Sequence, residues 1–159
     1  MTEYRRFDAP ADPLSNFEPP TYRDTTAELL GEHHVGNVAC QPYLSVESTC
    51  TVEEAIRELY QSGVSSLLVV EEGNLVGIFT ERDVLERVAE RYSRVKHLPV
   101  AEFMTSDPTI VYSEEPAAAA VAAIAIAGHR HVPVLDMDDQ IEGIVSPRRV
   151  FQFIETSWD

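Results

Sequence analysis

The segment Gly77-Ile78-Phe79-Thr80-Glu81-Arg82-Asp83 returns 66 residues later as Gly143-Ile144-Val145-Ser146-Pro147-Arg148-Arg149. Self-similarity at a fixed spacing means two supersecondary units of one kind, each too small to bury its apolar face alone. A chain of 159 residues with 44% apolar content can bury one good core or two small fused ones. The two copies also differ. The hydroxyl recurs as Thr80 and Ser146, but Asp83 is answered by Arg149, so one half keeps a polar site that the other has altered.

The repetition extends beyond these segments. Val52, Ala55, Ile56 and Leu59 fall at i, i+3, i+4 and i+7, one apolar stripe on a helix, with Thr51 and Glu54 as a capping box at its start. The same stripe returns 65 residues on as Ala117, Ala120, Val121 and Ile124, where Pro116 can open the helix as a first-turn residue. Gly63 and Gly128 stand where each helix should stop. Leu67 to Val70 and Val132 to Leu135 read as buried strands. Turns at Glu72-Gly73-Asn74 and at Met137-Asp138-Asp139 follow, the second one residue longer, and this extra residue accounts for the offset growing from 65 to 66. Leu75 to Thr80 and Ile141 to Ser146 then form the next strands. Val84, Leu85 and Val88 start a closing helix, matched by Val150, Phe151 and Ile154. Each unit is thus strand, helix, strand, strand, helix, a mixed α/β (α+β) fold, and the two should pack through their sheets. Val35 to Cys40 is expected to be extended, and Arg91 to Val100 to be a polar connection.

Residues 1–24 carry Pro10, Pro13, Pro19 and Pro20 among polar and acidic residues and should form a loose tail. The expected division is then 25–98 for the first repeat with a lead-in helix and 99–156 for the second. Net charge is −15, with Lys96 the only lysine, which argues against a nucleic-acid or anionic-membrane surface. No basic stretch followed by an apolar run and no window of 18 apolar residues suggests a leader or a membrane span, so a cytoplasmic address is expected. Cys40 and Cys50 suit reduced, partly buried thiols rather than a disulfide framework. His33, His34 and Cys40, or His129 and His131, fit no closed zinc pattern, so no metal site is expected. No nucleophile elbow or Gly-rich phosphate loop is present.

The element order, with G-h-h-[ST]-x-x-D closing the last strand, resembles the cystathionine beta-synthase (CBS) domain. The two copies resemble a tandem pair, or Bateman module. GIFTERDVLERV and VAEFMTSDPTIVYSEEPAAAAVAAIAIAGHRHVPVLD resemble the stand-alone two-repeat branch. The likeness runs from about Thr25 to Glu155. It implies an adenosine-type ligand, AMP, ADP or ATP, with S-adenosylmethionine or NAD(H) as further candidates, held between the repeats. It also implies pairing of two modules into a flat disc, a homodimer, with no required cofactor.

Asp83 follows Thr80 by one helical turn, so its carboxylate can accept hydrogen bonds from both hydroxyls of a ribose. That is also the family's ribose position. The same residues would serve equally as a helix cap. Arg130 and His131, with Arg82, offer donors for a phosphate; alternatively His129-Arg130-His131 is a solvated approach to a strand. Pro108, Thr109 and Ile110 occupy the place expected to receive adenine. In the second half Ser146 and Arg149 make a second candidate site. A guanidinium has donors only, so a ribose there loses its acceptor, while Arg148 and Arg149 could take a phosphate. The expected function is regulatory nucleotide sensing without catalysis, acting on another protein; the alternative is a structural or protein-interaction disc with no ligand.

Overall fold

Two cores, each completed by chain from the other half, organise the molecule. The computed structural model describes residues 21, 24–38, 40–128 and 130–157. Apart from Thr21 and Asp24, the expected tail lies outside the described residues.

Helix α1 (Thr25–Glu32) is capped by Asp24, whose carboxylate accepts from the Ala27 N–H. Strand β1 is Ser45–Glu47 and α2 is Val52–Ser62. The capping box forms: the Glu54 N–H donates to Thr51 Oγ1 and the Thr51 N–H to Glu54 Oε2, at 3.2 and 2.9 Å. Gly63 ends the helix at φ 63°, a left-handed conformation that favours glycine. Strands β2 (Ser66–Glu71) and β3 (Asn74–Thr80) follow as a hairpin. Beyond β3 come α3 (Glu81–Asp83), a π-helical turn at Val84–Val88, a 3₁₀ turn at Ala89–Arg91 and α4 (Tyr92–Val95).

The second half comprises β4 (Thr105–Ser106), β5 (Val111–Tyr112), α5 (Ala117–Ala127), β6 (Val132–Leu135), β7 (Ile141–Val145) and α6 (Pro147–Thr156). Gly128 stops α5 at φ 62°. One sheet runs β1-β2-β3-β4 and the other β5-β6-β7.

The halves exchange their leading segments. β4, ahead of the second unit, pairs antiparallel with β3 of the first, Ile78 opposite Thr105. Reciprocally, the Ile144 N–H in β7 donates to the Cys40 carbonyl at 2.9 Å. The glycine opening each motif permits this approach. A Cβ on Gly143 would run into the Cys40 carbonyl, and one on Gly77 into Met104 and the Thr105 carbonyl.

The cores follow the exchange. Val35, Val38 and Cys40 are buried with Val111, Ala117, Val132 and Val145 of the second half. Val100 and Phe103, which lead into the second half, are buried with Val52, Leu59, Leu67 and Phe79 of the first. Leu68 and Ile78 meet Ile144 between the sheets, which is the expected sheet-to-sheet packing. Each such buried side chain contributes about 1.5–3 kcal/mol, so neither half would keep its core if separated.

Several expectations change. Val35–Asn37 is a 3₁₀ turn rather than extended chain, because Asn37 Oδ1 accepts from the His34 N–H and the Asn37 N–H returns to the His34 carbonyl. The 91–100 connection is not simply polar, since Val95 and Val100 complete the first core. Pro116 is the N-cap of α5 and not a first-turn residue. Leu85 and Phe151, repeat-related members of the closing-helix stripe, are 72% and 69% exposed.

Candidate nucleotide cleft and its counterpart

Thr80 ends β3 and caps α3, which places Asp83 in the first helical turn, where the residue is 4% exposed. Asp83 Oδ2 accepts from the Thr80 N–H and from Thr80 Oγ1, both at 2.8 Å. Oδ1 accepts from Thr105 Oγ1 at 3.1 Å, with Arg87 Nε at 3.7 Å. A carboxylate has about four acceptor positions. The capping role is therefore real, and about one acceptor position of Asp83 remains open.

Thr80, Arg82, Asp83, Arg130 and His131 line one cleft of about 670 Å³, so these predicted residues come together. Arg82 is exposed and paired with Glu86 at 3.2 Å. His131 Nε2 lies 3.0 Å from Ser65 Oγ across the junction of the halves. Burial pulls the His131 imidazole below its ordinary 6.5, and the charges of Arg149 and Arg130 pull it further in the same direction.

Pro108, Thr109 and Ile110 lie off the wall of this cleft. The chain turns at Asp107, at φ 47°, before it reaches them. The apolar side chains that do face the cleft are Ile78 and Leu85.

Sequence reasoning missed Thr105, Arg87 and Ser65. Arg87 was accessible as an i, i+4 partner of Asp83. Ser65 is the repeat mate of Arg130, 65 residues apart. Thr105 had no local signal, because it reaches Asp83 only through the exchanged β4.

Ser146 and Arg149 line a second cleft of about 580 Å³, together with Arg148, and Arg130 and His131 belong to this wall as well. Ser146 Oγ accepts from the Arg149 N–H at 3.4 Å and caps α6. The Arg149 guanidinium donates to the carbonyls of Cys40 and Pro42, and at 2.6 Å to that of Ile144. It clamps the exchanged segment onto β7. In the first half Arg87 does the equivalent, donating to the Phe103 and Met104 carbonyls.

Cys40 is buried and Cys50 half-buried, both free. Burial is the chief cause holding both thiols above their ordinary 9.0, so neither is a ready nucleophile. Among the described residues no helix is long and apolar enough to cross a membrane.

The CBS domain family model matches residues 35–90 and 100–156. A CBS domain-containing protein of Arabidopsis thaliana, CBSCBSPB1, is 30% identical over 70% of this chain, which spans 21% of that relative's length. An uncharacterized 17.7 kDa protein of Acidianus ambivalens is 30% identical over 72% of this chain and 68% of its own. Among solved structures, CBSX2 in complex with AMP superimposes with a TM-score of 0.70 at 22% identity, over 80% of this chain and 99% of that one. The CBS domain pair of protein MJ0100, in complex with 5-methylthioadenosine and S-adenosyl-L-methionine, gives 0.66 at 23% identity, over 78% and 97%.

Proposed function

Because this chain belongs to the CBS domain family and carries two copies of the domain, we propose that it is a regulatory module without catalytic activity that binds one adenosine-type ligand in the cleft of Asp83. The observation that carries this reading is the buried Asp83 carboxylate at a strand-to-helix junction, facing Arg130 and His131 across a 670 Å³ cleft. In this reading Thr80 and Asp83 hold the ribose, while Arg130, His131 and Arg82 hold the phosphate. Ile78 supplies apolar surface for the base. AMP, ADP and ATP are the first candidates, and the solved relatives with AMP and with S-adenosylmethionine support the ligand class. Binding regulates a client protein by shifting the orientation of the halves, which requires different affinity for the two arrangements. A homodimer would cover Leu85 and Phe151, apolar and exposed at equivalent positions of the two repeats.

One observation favours a second reading, a protein-interaction disc with no ligand: Asp83 already accepts three hydrogen bonds within the chain. Calorimetric titration with AMP, ATP, S-adenosylmethionine and NADH separates the two. The nucleotide reading expects saturable binding, weakened about tenfold or more by Asp83→Ala. It also expects the melting midpoint to rise, since 100-fold excess over Kd adds about 2.7 kcal/mol. No heat and no shift with any of the four ligands would leave the interaction disc.

A further inference from the structure

We propose that the second cleft is a site for a compact phosphate oxyanion, of the inorganic pyrophosphate or triphosphate class, and not a second nucleoside site. Arg130, Arg148 and Arg149 line it without a single Asp or Glu on its wall. That is three of the twelve Lys and Arg residues of a chain whose net charge is −15. The first cleft balances Arg82, Arg87 and Arg130 against Glu81, Asp83 and Glu86. In the second repeat those three acids are replaced by Pro147, Arg149 and Gln152, each 66 residues on.

None of the three arginines forms an ion pair among the described residues, where the pairs are those of Arg82, Arg87 and Lys96. The carbonyl partners of Arg149 orient its guanidinium but do not neutralise it. They use both hydrogens of one terminal nitrogen and one of the other, which leaves two of its five donors uncommitted. Beside this uncompensated charge the His131 imidazole is depressed by burial and by the charges of Arg149 and Arg130, and burial depresses the Arg149 guanidinium. An oxyanion relieves both, and charge-assisted bonds from guanidinium groups to phosphate oxygens are the strong class of hydrogen bond.

A nucleoside fits poorly. The ribose acceptor of the first cleft has become a donor, and the Cys40 and Pro42 carbonyls on the facing segment are already taken by Arg149. Arg130 and His131 are shared with the first cleft, so a nucleotide phosphate there would compete for them, while Arg148 and Arg149 line the second cleft alone.

Calorimetric titration of the full chain with inorganic pyrophosphate and with adenosine, on the wild type, Arg148→Gln and Asp83→Ala, tests this. Arg148 is exposed and carries no ion pair among the described residues, so the glutamine variant should melt with the wild type. Pyrophosphate should bind once per chain, at least tenfold to roughly 100-fold more weakly in Arg148→Gln, and unchanged in Asp83→Ala. Adenosine should not bind to Asp83→Ala. Absence of saturable pyrophosphate binding overturns the proposal, as does equal binding by Arg148→Gln or its loss in Asp83→Ala. Loss of AMP binding in Asp83→Ala tests the first cleft separately.

Discussion

The two halves solve one mechanical problem with an arginine placed at different turns of the same helix. Each must clamp the exchanged leading segment against its last strand. In the first half Arg87 reaches the Phe103 and Met104 carbonyls and leaves the preceding turn to Asp83. In the second, Arg149 stands at the Asp83 position and takes the Cys40, Pro42 and Ile144 carbonyls itself, while the repeat mate of Arg87 is the apolar Phe153. With the clamp one turn earlier, the position of the acid is occupied by the arginine. A regular α6 accompanies the second arrangement, whereas the first passes through a π-helical turn at Val84–Val88, a distortion often found beside functional sites.

The largest test of this comparison is at the glycines that admit the exchanged segments. Gly143→Ala should destabilise by about 1–3 kcal/mol or more, since the new methyl meets a backbone carbonyl. Gly77→Ala should cost less, because part of its obstruction is the flexible Met104 side chain. Urea midpoints of the two variants give the order, and a reversed order would break the account of the exchange.

Next comes the clamp itself. Arg149→Met should cost about 1–3 kcal/mol by stranding carbonyls that lose their donor, again read from denaturant midpoints. Arg87→Met should cost less, because Thr105 still ties the segment to Asp83. Equal losses would mean that the clamps are interchangeable.

A smaller effect is expected from pH. With the folded-state pKa of His131 lowered, the unfolded chain takes up a proton below about 6.5 that the folded chain refuses. Stability should therefore fall as pH drops from that value to the depressed one, with no contribution above it. His131→Gln should flatten this slope in thermal melts recorded across the window. Phosphate bound beside His131 favours the charged ring, so AMP affinity should rise as pH falls through the same window, and should not in the variant.

The smallest effect on stability is expected at Leu85→Glu and Phe151→Glu, about ±0.5 kcal/mol for exposed positions. Sedimentation should nevertheless show dissociation if these side chains meet a second copy. An unchanged sedimentation coefficient would place any pairing elsewhere.

Much of this was legible in the sequence wherever the signal is local. The Thr51–Glu54 box, the stops at Gly63 and Gly128, and the hairpin strands emerged from spacing alone, because caps, left-handed turns and periodic burial each depend on a few neighbouring residues. Leu85 and Phe151 show the limit of such signals: a helical stripe marks an apolar face but cannot say whether anything covers it. The left-handed turn at Asp107, just before Pro108, Thr109 and Ile110, had no such local signal.

The duplication, the mixed fold and the replacement of Glu81, Asp83 and Glu86 by Pro147, Arg149 and Gln152 follow from the order of residues by itself, since each is a comparison along the chain. Tertiary structure alone decided that the leading segments cross between halves, that Arg149 spends its donors on carbonyls more than a hundred residues away, and that Arg130 and His131 form a wall common to both clefts. Those contacts join positions with no shared periodicity, and only packing two cores against each other brings them within hydrogen-bond range.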